Sequence, residues 1–195
     1  MKKILTYSLI ITALALTSCG TQKQVALPSR PSAKPFGEVY SMPCEVYDTP
    51  EKFMATGIYR GSSYQKGQCR LNALENAKQV IYAKYKHSYK GIINHYSKDM
   101  GNNRGNDIAT KIEREGDAVI LAILNDVSET CIKFSNVFDD GMLECYVAIE
   151  VLKGEIAQKI SNRISNVLTQ EEKDRIDFDE SNFRKQMEER MKNAK

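Results

Sequence analysis

At 195 residues the chain has room for one domain with appendages. With 42% hydrophobic and 27% charged residues, and only five Cys, it is no wholly disordered protein, polytopic membrane protein or disulfide-dense toxin. Twenty-eight Lys and Arg against 25 Asp and Glu leave a formal charge of +3, too balanced to predict a nucleic-acid partner.

The first element in chain order is an export signal. Lys2 and Lys3 form a positive start, Ile4 to Leu16 form an apolar run broken only by Thr, Ser and Tyr, and Leu16-Thr-Ser-Cys19 closes it. The run is too short to span about 30 Å of hydrocarbon, so a retained membrane helix is disfavoured. Small residues before Cys19 suit a signal peptidase, and the thiol can be acylated. The pattern resembles the lipobox of bacterial lipoproteins. That resemblance implies cleavage after Ser18, leaving residues 1–18 as signal peptide and an acylated Cys19. Two or three buried chains, at about 0.8 kcal/mol per methylene, make a stable anchor. Gly20 in place of Asp argues against inner-membrane retention, so an outer-membrane, lipid-anchored location is expected, on either face.

Residues 19–50 read as a tether, because all five prolines (Pro28, Pro31, Pro35, Pro43, Pro50) fall there among Ser, Thr, Gln and Lys. Its end, Glu38 to Tyr47, alternates and is expected to lie along the domain. Residues 51–168 then read as the folded part. Phe53 to Arg60 is a predicted strand in which Gly57 leaves room for close packing. Leu71, Leu74, Ala77, Ile81, Tyr85, Ser88 and Ile92 predict one long helix from about residue 64 to 96. Gly101 to Asn106 reads as a breaker, with Asp107 capping a second helix. Glu129 to Phe138 and Met142 to Leu152 predict a hairpin about Asp139-Asp140-Gly141, with Ile132, Phe134 and Cys145 toward the core. A helix striped by Ile156, Ile160, Ile164 and Val167 follows. Thr169 to Glu172 fits a capping box ahead of a charged terminal helix over 169–195 that bears Phe183, Met187 and Met191.

Strand, long helix pair, hairpin and C-terminal helices define an α+β fold: a small antiparallel sheet packed on helices. Ala55-Thr-Gly57-Ile-Tyr, the pair Ala73 and Ala77, and Cys145-Tyr-Val-Ala-Ile-Glu150 resemble a family of uncharacterised Gram-negative lipoproteins with a dodecin-like β-α-β-β domain. From the lipobox to Phe183-Arg-Lys-Gln-Met187 the chain is similar to a Bacteroidales-type outer-membrane lipoprotein group, a resemblance that brings no activity with it.

Four cysteines remain beyond Cys19, and an exported chain permits disulfides. Cys145 belongs to the core face and Cys131 is out of phase with it, so those two are not expected to pair. Cys44 with Cys131 is the preferred pair, with unpaired thiols as the alternative. No metal site is expected, since no Cys-x-x-Cys exists and His87 and His95 lie about 12 Å apart along a helix. No cofactor motif and no catalytic constellation is present. Lys84, Lys86, Tyr89, Lys90 and Lys98 interleave base with aromatic rings, a pattern that can hold an acidic glycan or other anionic ligand. The expectation is therefore a non-enzymatic envelope lipoprotein acting as a structural or interaction module. The alternative is an anionic-ligand module using helix residues 82–98. Envelope proteins or a second copy are the expected partners, because a small sheet leaves edges that pair.

Overall fold

The computed structural model describes Ser41–Lys98 and Asn103–Asn193, with the side chains of residues 96–106 outside that description. The expected signal peptide, Cys19 and most of the tether lie outside the described residues. Among the described residues, no helix is long and apolar enough to cross a membrane.

The fold is α+β. Strand β1 (Lys52–Ser62) leads through a 3-10 turn (Ser63–Gln65) into α1 (Lys66–Lys98) and α2 (Asn103–Asn125). Strands β2 (Glu129–Phe134) and β3 (Met142–Leu152) follow, then α3 (Lys153–Val167), α4 (Gln170–Arg175) and α5 (Glu180–Asn193). The sheet is antiparallel in the order β1-β3-β2. The long central strand β3 therefore has a neighbour on each side, and the shorter β2 is an edge.

Packing of α1 on the sheet is set by one missing side chain. A Cβ at Gly57 would lie 2.0 Å from the Ala73 carbonyl oxygen and 2.4 Å from the Ala77 nitrogen. Only glycine lets the helix backbone come this near. Cys69, Ala73 and Ala77, all buried, are the small side chains that line the approach. This corrects the predicted stripe: Leu71 faces outward and is 53% exposed, because a side chain of its size does not fit between helix and sheet there. Farther along, Ile81, Tyr85 and Ile92 are buried as expected.

Three other expectations change. The second helix begins at Asn103 rather than at Asp107, because Gly105 and Asn106 fall in a first turn whose N–H groups need no intrahelical partner. The hairpin turns at Gly141 (φ 77°), but β2 stops at Phe134, where the Ser135 hydroxyl takes the Glu144 N–H. The terminal segment is two helices. Thr169 and Glu172 form the expected capping box, yet α4 is only six residues long. Asp177 then adopts positive φ, and Asp179 accepts from the Asn182 N–H to start α5. The stripe of Phe183, Met187 and Met191 is fully buried, and α5 packs on α3 and α1. It is thus a part of this domain's core.

Candidate functional site

Much of the lysine- and tyrosine-rich stretch of α1 is engaged within the fold. The Lys84 ammonium donates to Asp48 (2.8 Å) and to the Met54 carbonyl (2.7 Å). Lys86 reaches across to α2, donating to Glu113 (2.7 Å) and Asp117 (3.0 Å). Tyr89 is buried, stacks on Tyr85 with ring centroids 5.0 Å apart, and donates its hydroxyl to the Ile112 carbonyl (2.8 Å). Both phenols are pushed far above the usual tyrosine range, chiefly by burial. Lys90 is exposed, and the Lys98 side chain lies outside the described residues. Of the five residues expected to hold a ligand, two are neutralised within the fold and one is core. Their acidic partners sit 27 to 36 residues away, out of reach of a local reading.

Cys44 and Cys131 are joined by a disulfide, Cα–Cα 5.7 Å, closing a separation of 87 residues. Cys69 and Cys145 are buried free thiols. Burial raises both, Cys145 to about 11, so neither carries the thiolate that nucleophilic chemistry needs. Among the described residues, no cluster of three His, Cys, Asp or Glu side chains could hold a metal ion.

One cation escaped the sequence reading. Lys153, the first residue of α3, is only 2% exposed. Its ammonium donates to the Thr49 carbonyl (2.8 Å) and lies 4.6 Å from the centre of the Phe53 ring. Burial pulls its pKa below the usual lysine value; Asp48 opposes that shift and Lys84 adds to it. The unfolded chain therefore holds a proton that the folded one releases, between the lowered folded pKa and the ordinary lysine value of 10.5. In that window stability contributed at this position rises with pH. We expect the stability of wild type relative to Lys153→Met, read from urea titrations, to grow as pH is raised from 8 toward 10.5. A constant difference would show that the ammonium is not held in a desolvated site. A cavity of about 330 Å³ beside this residue is lined by Glu51, Glu155, Glu188 and Lys192 together with Pro50 and Leu152. Among these lining residues there is no paired nucleophile and base.

The two sheet edges are finished differently, and this is the feature with functional content. In β1, residues 54, 56 and 58 turn their backbone groups away from β3. Met54 N–H donates to Asp48 (2.7 Å), Met54 C=O accepts from Lys84, and Ile58 C=O accepts from Asn76 (2.7 Å). Asp48 and Thr49 reach this side, while Cys44 lies on the face of the sheet opposite α1, bridged to Cys131 of β2 and accepting from the Thr56 hydroxyl at its carbonyl. The Met54 end of β1 is thereby closed to strand addition.

On β2, Ser135 N–H bonds to Glu144 C=O, so the alternation turns the backbone of Ile132 and Phe134 outward. Their side chains lie on the helix-bearing face of the sheet, as expected. They are not core, however: Ile132 is 36% and Phe134 40% exposed. The reason is that α1 lies over β1 and β3, and among the described residues no helix packs over β2. Val137, beyond the strand, is also exposed. The rim of this edge is charged: Arg70 pairs with Glu129, and Lys66 stands 5.9 Å from the centre of the Phe134 ring. The hairpin signal located β2 in the sequence, but its uncovered state follows from where α1 lies.

Compared with family models, with curated proteins and with solved structures, the chain matches none.

Proposed function

We propose that this protein is a non-enzymatic lipoprotein of the cell envelope, acylated at Cys19 and anchored in the outer membrane, whose folded part is a protein-interaction module. The observation that carries the interaction reading is the contrast between the edges: on β1 the Met54 N–H and C=O and the Ile58 C=O are taken by Asp48, Lys84 and Asn76, whereas β2 turns backbone groups outward beside exposed Ile132 and Phe134. An exposed edge with an apolar strip is a template for strand pairing and is normally blunted or covered. Support for export comes from the residues before Cys19 and from the Cys44–Cys131 bridge, which fits an oxidising compartment. Membership of a Bacteroidales-type lipoprotein group is part of the same proposal, resting on the lipobox and on the residues quoted for the resemblance. The acidic-glycan alternative draws less support, because Lys84 and Lys86 already have carboxylate partners.

The anchor is tested by fractionating cells that express wild type or Cys19→Ala. Wild type is expected in the outer-membrane fraction, with an N-terminal peptide carrying diacylglycerol and an amide-linked acyl chain by mass spectrometry. The variant is expected to lose the lipid and leave that fraction. An unmodified Cys19 in the mature wild type would overturn the lipoprotein reading.

A further inference from the structure

We propose that Cys69 and Cys145 are a second redox pair, which a disulfide donor converts into a bond between α1 and β3. Only the source of the donor depends on export. The pairing stands on where the fold puts the two sulfurs.

Gly57, Tyr59 and Gly61 alternate onto the face of β1 that carries α1. A Cβ at Gly57 would strike the Ala73 backbone, and one at Gly61 would lie 3.4 Å from the Cys69 sulfur. In the antiparallel register Tyr59 stands opposite Cys145, so the Cys145 side chain rises from β3 on that same face. Cys69 comes down on it from α1. Its thiol donates to the Tyr59 carbonyl at 3.3 Å, lies 4.0 Å from the Leu143 carbonyl, and is hydrogen-bonded by the Cys145 backbone. The Cys69 sulfur therefore lies against Cys145 itself. Because Gly61 has no side chain, that sulfur has room to turn on its Cα–Cβ bond toward its neighbour. With Cys44 and Cys131 joined, no other thiol is left among the described residues.

The fold controls access to the pair. Both thiols are buried and protonated, so neither attacks a disulfide while α1 lies on the sheet. Cys69, however, is the fourth residue of α1, and residues 64–68 ahead of it are exposed. Helix ends open most readily, and Gly67 weakens this one further. Opening lifts Cys69 into water, where it ionises in the ordinary thiol range. Its thiolate attacks one sulfur of the donor, forming a mixed disulfide; the donor's other sulfur leaves and takes up the proton that Cys69 gave to water. When the turn closes, the Cys145 sulfur attacks the Cys69 sulfur, and its proton passes to the departing donor sulfur. The chain has exchanged two S–H bonds for one S–S bond, and the donor leaves as two thiols. Reduced, the start of α1 is free to open. Oxidised, it is fastened to β3, on the face opposite the Cys44–Cys131 bridge.

The test takes the full chain with that bridge intact, incubates it with glutathione disulfide at about pH 8, quenches in acid and maps the peptides without reduction. One product is expected, lighter by two hydrogen atoms and linking Cys69 to Cys145, with the thermal unfolding midpoint raised by about 10 °C. Cys145→Ala removes the second attack, so Cys69 is expected to stop at a lasting glutathione adduct. Gly67→Ala, which stiffens the turn, is expected to slow formation of the wild-type product about threefold. Thiols that stay free in wild type, glutathione retained on both of them, or bonds from either to Cys44 or Cys131 would each overturn the pairing. An unchanged rate in Gly67→Ala would overturn control by the first turn of α1. Each of these outcomes is independent of whether Cys19 is acylated.

Discussion

Replacing Gly57 by Ala is expected to destabilise the domain by about 3 kcal/mol, at the upper end of overpacking costs. The added methyl would lie 2.0 Å from the Ala73 oxygen and 2.4 Å from the Ala77 nitrogen, and both are main-chain atoms of α1. A side chain can rotate out of the way, but the backbone of a 33-residue helix can move only by lifting off β1 and β3. The cost is therefore expected to persist in Gly57→Ala combined with Ala77→Gly, which removes a neighbouring methyl without moving the offending nitrogen. Gly91→Ala supplies the comparison. There the nearest atoms belong to the Arg190 guanidinium, at 2.4 Å, the free end of a flexible side chain. Replacing a helix-interior glycine gains up to about 1 kcal/mol, so this variant should be neutral or mildly stabilising. Urea titrations of the three variants, with slopes compared to wild type, decide the matter. Full recovery in the double variant would show that the approach is governed by side chains rather than by backbone.

Gly57 also shows how far the fold could be read from the residues. A glycine inside an alternating strand signals close approach, and Ala73 and Ala77 at helical spacing signal the surface that approaches. The hairpin was readable because Gly141 supplies a positive φ between two alternating runs. Other features depend on distant placement. Leu71 looks like a core position by spacing alone; it is excluded because the helix comes so near to β1 that Cys69 and Ala73 take the interior. Ile132 and Phe134 alternate as core residues should, but whether a strand's inner face is covered depends on where a helix elsewhere in the chain comes to rest. Lys84 and Lys86 read as cations free to meet an anionic ligand until the fold brings Asp48, Glu113 and Asp117 to them. Lys153 resembles an ordinary first-turn lysine. Only the return of Thr49 above Phe53 makes it a buried one. The break between α4 and α5 was hidden because the acidic-then-basic pattern suits one long helix as well as two short ones. The local conformation of Asp177 divides them.

Removing the Cys44–Cys131 bridge is expected to have the largest effect of any change outside the core. A cross-link between residues 87 apart withdraws loop entropy from the unfolded chain, worth about 4.6 kcal/mol in the chain-entropy account. Cys44→Ala with Cys131→Ala should lower the unfolding free energy by that amount. Dithiothreitol should lower wild type equally and leave the double variant where it is. If the reductant shifts both proteins alike, the stabilisation does not come from this bridge. The consequences reach past stability, because the bridge lies between the upstream chain and the sheet. Load arriving from before Ser41 meets the Cys44–Cys131 bond, on β2, before it meets the weaker contacts of Asp48 and Thr49 along β1. With the bridge intact, a pull on the tether is delivered to β2. With it broken, the same pull would lift Cys44 from the sheet face, release Met54 from Asp48, and open the end of β1 that Asp48 covers. Reduced protein is therefore expected to associate through β1, and light scattering of wild type with and without reductant would show it.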